Sequence, residues 1–316
     1  MIWSLLVLCL AAFAIVAASV SAITGIALRW IDTATAGLAP RHRARAWMWI
    51  AALPAAAGTV TVLATLLPAL GFGSDHCLVH DLHHPHLCPH HLLETPGIAL
   101  IGLAVLVVAR CTFLIARLAG VALLSSTTAR TLAEGSEQHG DVLVFEAAEP
   151  RAFVLGIVHS TVHASTGLLD LGRGVAEAVL AHERAHARQR DLLWRALCPV
   201  FAAAHLPSVS SRIAARLATA QEMAADAEAA DEVQDRVRVA EALVALARLH
   251  ARPSPGLSFT HGDLRARVQA LLGPPADTIS WPVRVLAAVG VCATLTIGAL
   301  HEAVHHGLET LLGALS

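Results

Sequence analysis

VAEAVLAHERAHARQR, residues 175–190, is Ala-rich, contains neither Gly nor Pro, and holds His182-Glu183-Arg184-Ala185-His186 inside an unbroken helical stretch. Residues four apart on a helix share one face about one turn apart. Both imidazoles can therefore reach a single Zn²⁺, while Glu183, beside the first, is placed as the base for an attacking water. Chance has to be weighed in a chain with 19 His; at these frequencies the pattern is expected about 0.05 times per chain of this length.

The pattern occurs a second time, as His301-Glu302-Ala303-Val304-His305, and this copy serves as a control. A site of the gluzincin type takes its third protein ligand from a Glu on a separate helix and leaves a fourth position open. The first copy is followed, beyond a Pro207-Ser208 break that lets the chain reverse, by Ala220-Gln221-Glu222-Met223-Ala224-Ala225-Asp226. The second copy has only Glu309 downstream on the same short helix. At 1.5 Å per residue, His301 and Glu309 would lie about 12 Å apart, too far to share one ion. The expected ligands are His182, His186 and Glu222.

Around this helix the chain is strongly apolar: 56% of its 316 residues are hydrophobic and 15% charged, whereas about a quarter of an ordinary soluble domain is charged. Ile2 to Leu28 runs without a charge, longer than the roughly 20 residues that cross a bilayer core. Its length and the lack of a basic leader predict a retained helix rather than a cleaved signal peptide. Trp47–Gly73, Gly97–Leu118 and Val283–Leu300 predict three more spans. Arg29, Arg41, Arg43 and Arg45 lie between spans one and two, and no Arg lies between two and three. Arg-rich short loops stay cytoplasmic. The expected topology is a multi-pass protein of the cell membrane with both termini extracellular. Residues 1–118 carry three spans, a cytoplasmic basic loop (29–46) and an extracellular His-rich loop (74–96). Residues 119–281 form a cytoplasmic domain, 282–300 the fourth span, and 301–316 a short extracellular tail. Arg110 in span three either snorkels to the interface or faces the bundle interior.

The cytoplasmic segment is long enough for one domain with its own core. A polar, turn-rich start (Ser125 to Pro150) precedes β-like runs at Val142–Phe145, Ala152–Ile157 and Thr161–Ala164. Helical periodicity follows at Val175–Arg190, Asp191–Phe201, Ser211–Ala230 and Asp235–Ala251, the last broken at Arg252-Pro253-Ser254-Pro255-Gly256. The expected fold class is a mainly α membrane protein: four transmembrane helices with a cytoplasmic α+β gluzincin domain.

Leu180-Ala181-His182-Glu183-Arg184-Ala185-His186, with Arg190-Asp191 and Trp194 after it and Glu222-x-x-Ala225-Asp226 beyond, resembles the BlaR/MecR-type membrane zinc peptidases, the signal transducers of β-lactam sensing. The order of spans and domain is similar too, as is Pro150-Arg151-Ala152-Phe153-Val154-Leu155-Gly156 with Ser165-Thr166-Gly167-Leu168-Leu169, in that family the edge-strand region ahead of the active helix. The resemblance runs to Leu300. Those sensors continue into an extracellular penicillin-binding domain, and here about 16 residues remain, so sensing by that route is not expected. The resemblance implies a zinc endopeptidase with one catalytic Zn²⁺, cleaving a cytoplasmic protein such as a BlaI-like winged-helix repressor. It also implies that Asp226, one turn beyond Glu222, orients a ligating His; a solvated helix charge is the plainer reading. With no Tyr in the chain, oxyanion donors are limited to His or Arg. Thr260-His261 with Arg267-Val268 is similar to a His-Pro...Arg element of related peptidases, Gly262 replacing the Pro, and marks His261 as a substrate or oxyanion contact. Peptide would add as a strand near Val154 to Val158. Arg190 and Asp191 read as cap and brace of the helix end.

Ten of the 19 His fall in two stretches, His76, His80, His83, His84, His86, His90 and His91, and His301, His305 and His306. With Cys77 and Cys88 they suit a transition metal bound outside; the alternative is a solvated loop with a Cys77–Cys88 disulfide. With 22 Arg, no Lys and 24 carboxylates, the near-neutral charge gives no support for direct nucleic-acid binding. The expected partners are the bilayer, a cytoplasmic protein substrate, an extracellular transition metal and a second copy of the chain. Two other functions fit: an HtpX-like quality-control protease, or a metal-binding membrane protein with a vestigial protease domain.

Overall fold

The structure is a computed structural model and describes residues 2–66, 97–250 and 261–273. Three long helices, α1 (Ile2–Ala36), α2 (Pro40–Leu66) and α3 (Ile98–Glu134), are each long and apolar enough to cross a membrane. The expected fourth span, the whole His-rich loop, the His-containing tail and the Cys77–Cys88 pair lie outside the described residues. Spans one and three meet along small and branched side chains: Val7, Leu8, Ala11 and Ala12 of α1 bury Leu100 and Ala104 of α3.

α3 corrects the sequence reading. The segment from Ser125, expected to be turn-rich, stays helical to Glu134. The run Ser125-Ser126-Thr127-Thr128-Ala129-Arg130 has no Gly or Pro, and Ser126, Thr127 and Thr131 donate their hydroxyls back to carbonyls three or four residues earlier. Gly135 then ends the helix. At 1.5 Å per residue α3 is roughly 55 Å long, well beyond a hydrocarbon core of about 30 Å, so its second half stands beside the polar domain.

That domain holds a four-stranded sheet, β1 (Ser136–His139), β2 (Val142–Phe145), β3 (Ala152–Leu155) and β4 (Thr161–Ser165), in the order β1-β2-β4-β3. β1, absent from the sequence reading because Ser-Glu-Gln-His carries no apolar alternation, pairs antiparallel with β2. β2 runs parallel to β4, and β3 closes antiparallel on β4, which leaves β3 at an edge. One face is apolar by period-2 alternation: Val142, Val144, Val154, Val162 and Ala164 are buried against Ala178, Val179 and Ala181. β3 stops at Leu155, short of the expected Ile157, because Gly156 at φ 90° starts a tight turn in which an added Cβ would lie 2.1 Å from the His159 carbonyl oxygen.

Ser165-Thr166-Gly167 begins the short α4 (Thr166–Leu169) and pins the link between β2 and β3. Ser165 Oγ accepts from Leu168 N and Arg151 N and donates to Glu149 O. Gly167 N donates to Ala147 O, an approach so close that a Cβ there would sit 2.2 Å from Ala148 O.

The remaining helices are α5 (Arg173–Gln189), α6 (Asp191–Phe201), α7 (Pro207–Val233), α8 (Arg236–His250) and α9 (His261–Leu272). α5 and α7 pack together through small residues, with Ala178, Ala181 and Ala185 buried on one and Ala225 and Ala229 on the other. Arg188 reaches across to Glu228 and Glu232. Close approach of these two backbones is what brings residue 222 beside residues 182 and 186.

The apolar connection between α6 and α7 is rooted among the spans. Cys198, Ala202, Val209, Ile213 and Leu217 form one core with Leu28 of α1 and Trp47, Ile50 and Ala51 of α2. His205, 2% exposed, donates from Nε2 to Ile50 O (3.0 Å) and accepts from Ser21 Oγ at Nδ1 (3.1 Å). Arg110 donates to Ala203 O (2.6 Å) and His205 O (3.2 Å). It therefore faces the interior and does not snorkel, since these carbonyls at the end of α6 have lost their helical donors. Arg216 of α7 forks onto Asp32 at 2.6 and 2.5 Å and lies over the Trp47 ring. α6 and α7 are thus fixed to all three described spans.

Candidate metal centre

α5 presents His182, Glu183 and His186 toward α7, and α7 supplies Glu222. One ligand atom from each of His182, His186 and Glu222 lies within 4.8 Å of the others. His182 Nε2 and His186 Nε2 are 3.1 Å apart, and the Glu222 oxygens lie 3.5 Å from the first and 3.6 Å from the second. Tetrahedral ligands at about 2.0–2.1 Å from one zinc stand roughly 3.3 Å from each other. The observed separations bracket that value. The structure thus brings together the three residues named from the sequence.

The outward nitrogens explain why the two rings face each other. His186 Nδ1 is 2.6 Å from Asp191 Oδ2, and His182 Nδ1 is 2.9 Å from Asp226 Oδ1. The second approach lies off the ring N–H direction, so it is an ionic contact rather than a straight hydrogen bond. A carboxylate behind each Nδ1 favours a proton there and turns both Nε2 atoms inward, 3.1 Å apart, where a metal cation or a shared proton fits between them.

Charge points the same way. Glu183, Glu222, Asp191 and Asp226 bring four negative charges to a region where Arg195 and Arg267 bring two positive ones. A divalent cation closes that balance with both imidazoles neutral. In the bare constellation protons do it instead: burial opposes a charge on His182, yet Asp226 and Glu222 outweigh it and push its pKa up to about 9. His186 is raised likewise, against burial, by Asp191 and Glu222. Burial also opposes ionisation of Glu222, but the two imidazoles and Arg267 hold its carboxyl far below the usual range. Glu183 differs. Burial dominates and raises its pKa, with partial relief from His182 and His186, as suits a proton acceptor near neutral pH.

Three residues acquire places here that the sequence reading did not give them. Asp191 is more than a brace: Arg190 takes the left-handed conformation (φ 55°), so α6 starts at once and turns Asp191 back onto His186. Arg267 of α9, 5% exposed, forks onto Asp226 at 2.7 Å twice and reaches Glu222 Oε2 at 3.1 Å. Asp226 is accordingly a buried hub and not a solvated helix charge. Arg195 donates to Glu222 Oε1 (2.6 Å) and Gln221 Oε1 (2.8 Å). His261 opens α9, and its side chain lies outside the described residues, as do the outer histidines His76 to His91, His301, His305 and His306.

A family model described as Peptidase family M48 matches residues 123–212. The match takes in the end of α3, the sheet, the helix bearing His182, Glu183 and His186, α6 and the start of α7, and it stops short of Glu222. It supports a metallopeptidase with membrane helices and does not single out the BlaR/MecR type. No curated protein and no solved structure matches the chain.

Proposed function

We propose that this chain is an integral membrane zinc endopeptidase whose active site is the α5–α7 junction, held on the cytoplasmic side of the cell membrane. The observation that carries this reading is the convergence of two imidazole nitrogens and one carboxylate at zinc-ligand spacing, with both imidazoles inside the stretch similar to Peptidase family M48. His182, His186 and Glu222 would hold the ion, with Asp226, Asp191 and Arg267 fixing their orientation. The chemistry supplied by bound zinc is polarisation of the scissile carbonyl and acidification of a water.

The chain's own residues supply the rest. Glu183 takes the proton of the attacking water and returns it to the leaving nitrogen, which needs a carboxylate that is ionised yet basic. Arg195, already 2.6 Å from Glu222, is the nearest exposed donor for charge developing on the carbonyl oxygen. The outer edge of β3 is a place for substrate backbone to add as a strand. If the chain transduces a signal, the substrate is a cytoplasmic protein such as a winged-helix repressor; if it works in quality control, cleavage is not tied to one regulatory protein. Comparing transcription of neighbouring genes between wild type and Glu183→Gln separates the two.

The test of the peptidase reading uses the full chain in detergent micelles with an unstructured protein as substrate. Cleavage should vanish on dialysis against a zinc chelator and return on adding zinc back. Cleavage that survives complete zinc removal contradicts it.

A further inference from the structure

A cavity of about 280 Å³ lies beside the metal centre, and no step above uses it. Leu118 and Val121 of α3 form one wall, Pro199 of α6 another, and Ile157, just past the end of β3, closes one side. Two arginines, Arg117 and Arg195, reach its rim. The position matters: Ile157 is two residues beyond the edge strand, and Arg195 is the residue bonded to Glu222. A peptide lying along β3 and running on past His182 and Glu222 would place one side chain here.

We propose that this cavity is the specificity subsite of the peptidase, taking one large aliphatic or aromatic side chain next to the scissile bond, with an acidic residue nearby paired to Arg117. The proposal rests on the peptidase reading and adds its substrate class. The volume sits just below the range of pockets for free small molecules, about 300–1,000 Å³, so the space suits a single side chain. Its polar groups are few and mostly committed: Ser125 Oγ accepts from Gly156 N, and Arg195 is held by Gln221 and Glu222. Arg117 is exposed and has no carboxylate partner among the described residues. An apolar cleft with one uncommitted cation at its mouth selects an apolar anchor flanked by negative charge. Because one wall is the continuation of a span, this selectivity is built from the membrane helix and not from the sheet domain alone.

The experiment is cleavage profiling of a mixed peptide library by the zinc-loaded full chain in micelles, with three variants. Wild type should favour Leu, Ile, Met or Phe at one position flanking the cut, with Asp or Glu enriched close by. Val121→Trp, on an exposed position of α3, narrows the cavity and should shift the ratio of large to small residues at that position by about tenfold or more. Leu118→Ala should shift it the other way, and Arg117→Glu should exchange the acidic preference for a basic one. Identical profiles from active wild type and all three variants overturn the subsite and leave the peptidase standing. A cavity filled by a lipid chain instead would give that same unchanged profile. No cleavage by zinc-loaded wild type overturns both.

Discussion

Glu183→Gln should lower kcat by roughly 100- to 10,000-fold, the range that one positioned acid–base group supplies, while zinc content stays at the wild-type level. The two halves of that result come from different features of the site. Glu183 is not among the three residues whose ligand atoms converge, so an isosteric amide leaves the ion's holders in place. Removal from solvent raises the pKa of Glu183 against the partial relief given by His182 and His186, and makes it a better proton acceptor than an exposed Glu; a Gln there accepts no proton. Single-turnover cleavage and metal analysis on the same preparation check both halves. Activity within threefold of wild type would remove Glu183 from the mechanism, and loss of zinc would make it a holder of the ion.

Asp191→Asn should weaken zinc binding about 10- to 100-fold, as loss of a partner behind a ligating His does. Glu222→Gln should weaken it further, because it removes a ligand charge and leaves Arg195 and Arg267 facing the site without it. Asp191 acts on His186 electrostatically. Its carboxylate, 4% exposed and 2.6 Å from His186 Nδ1, holds the proton on that nitrogen and keeps Nε2 free. An Asn can turn its amide N–H toward the ring and favour the wrong tautomer. Competitive titration with a chelator of known affinity reads the ranking. Equal affinity for wild type and Asp191→Asn would return Asp191 to a purely structural brace.

What could be read from the sequence was what depends on neighbours in the chain. The His182–His186 pair is set by helical periodicity alone, and the strands at Val142 and Thr161 by short β-like runs after a polar stretch. Glu222 was reachable because a Pro207 break and a new helix precede it. The missed features are long-range or depend on a single backbone conformation. Asp191 reaches His186 only because Arg190 is left-handed, and Arg267 reaches Asp226 across 41 positions. The apolar residues from Cys198 to Val209 read as an ordinary amphipathic helix and connection. Their burial against Leu28, Trp47 and Ile50 follows from the docking of α7 on α2, which no local pattern encodes. Arg110 is the counterpart: its interior position depends on carbonyls more than 90 residues away. The absence of Tyr narrowed the oxyanion donor to His or Arg, and Arg195, 2.6 Å from Glu222, is the Arg proposed for that place.

The position of bound zinc decides the chemistry, and ten clustered histidines elsewhere in the chain make total zinc content an ambiguous readout. Anomalous diffraction at the zinc edge, on crystals of the full chain, resolves the position. The account predicts a peak bounded by His182 Nε2, His186 Nε2 and a Glu222 oxygen, lost in His186→Ala. Zinc found only among the histidines of residues 76–91 or 301–306, with none between α5 and α7, would contradict it.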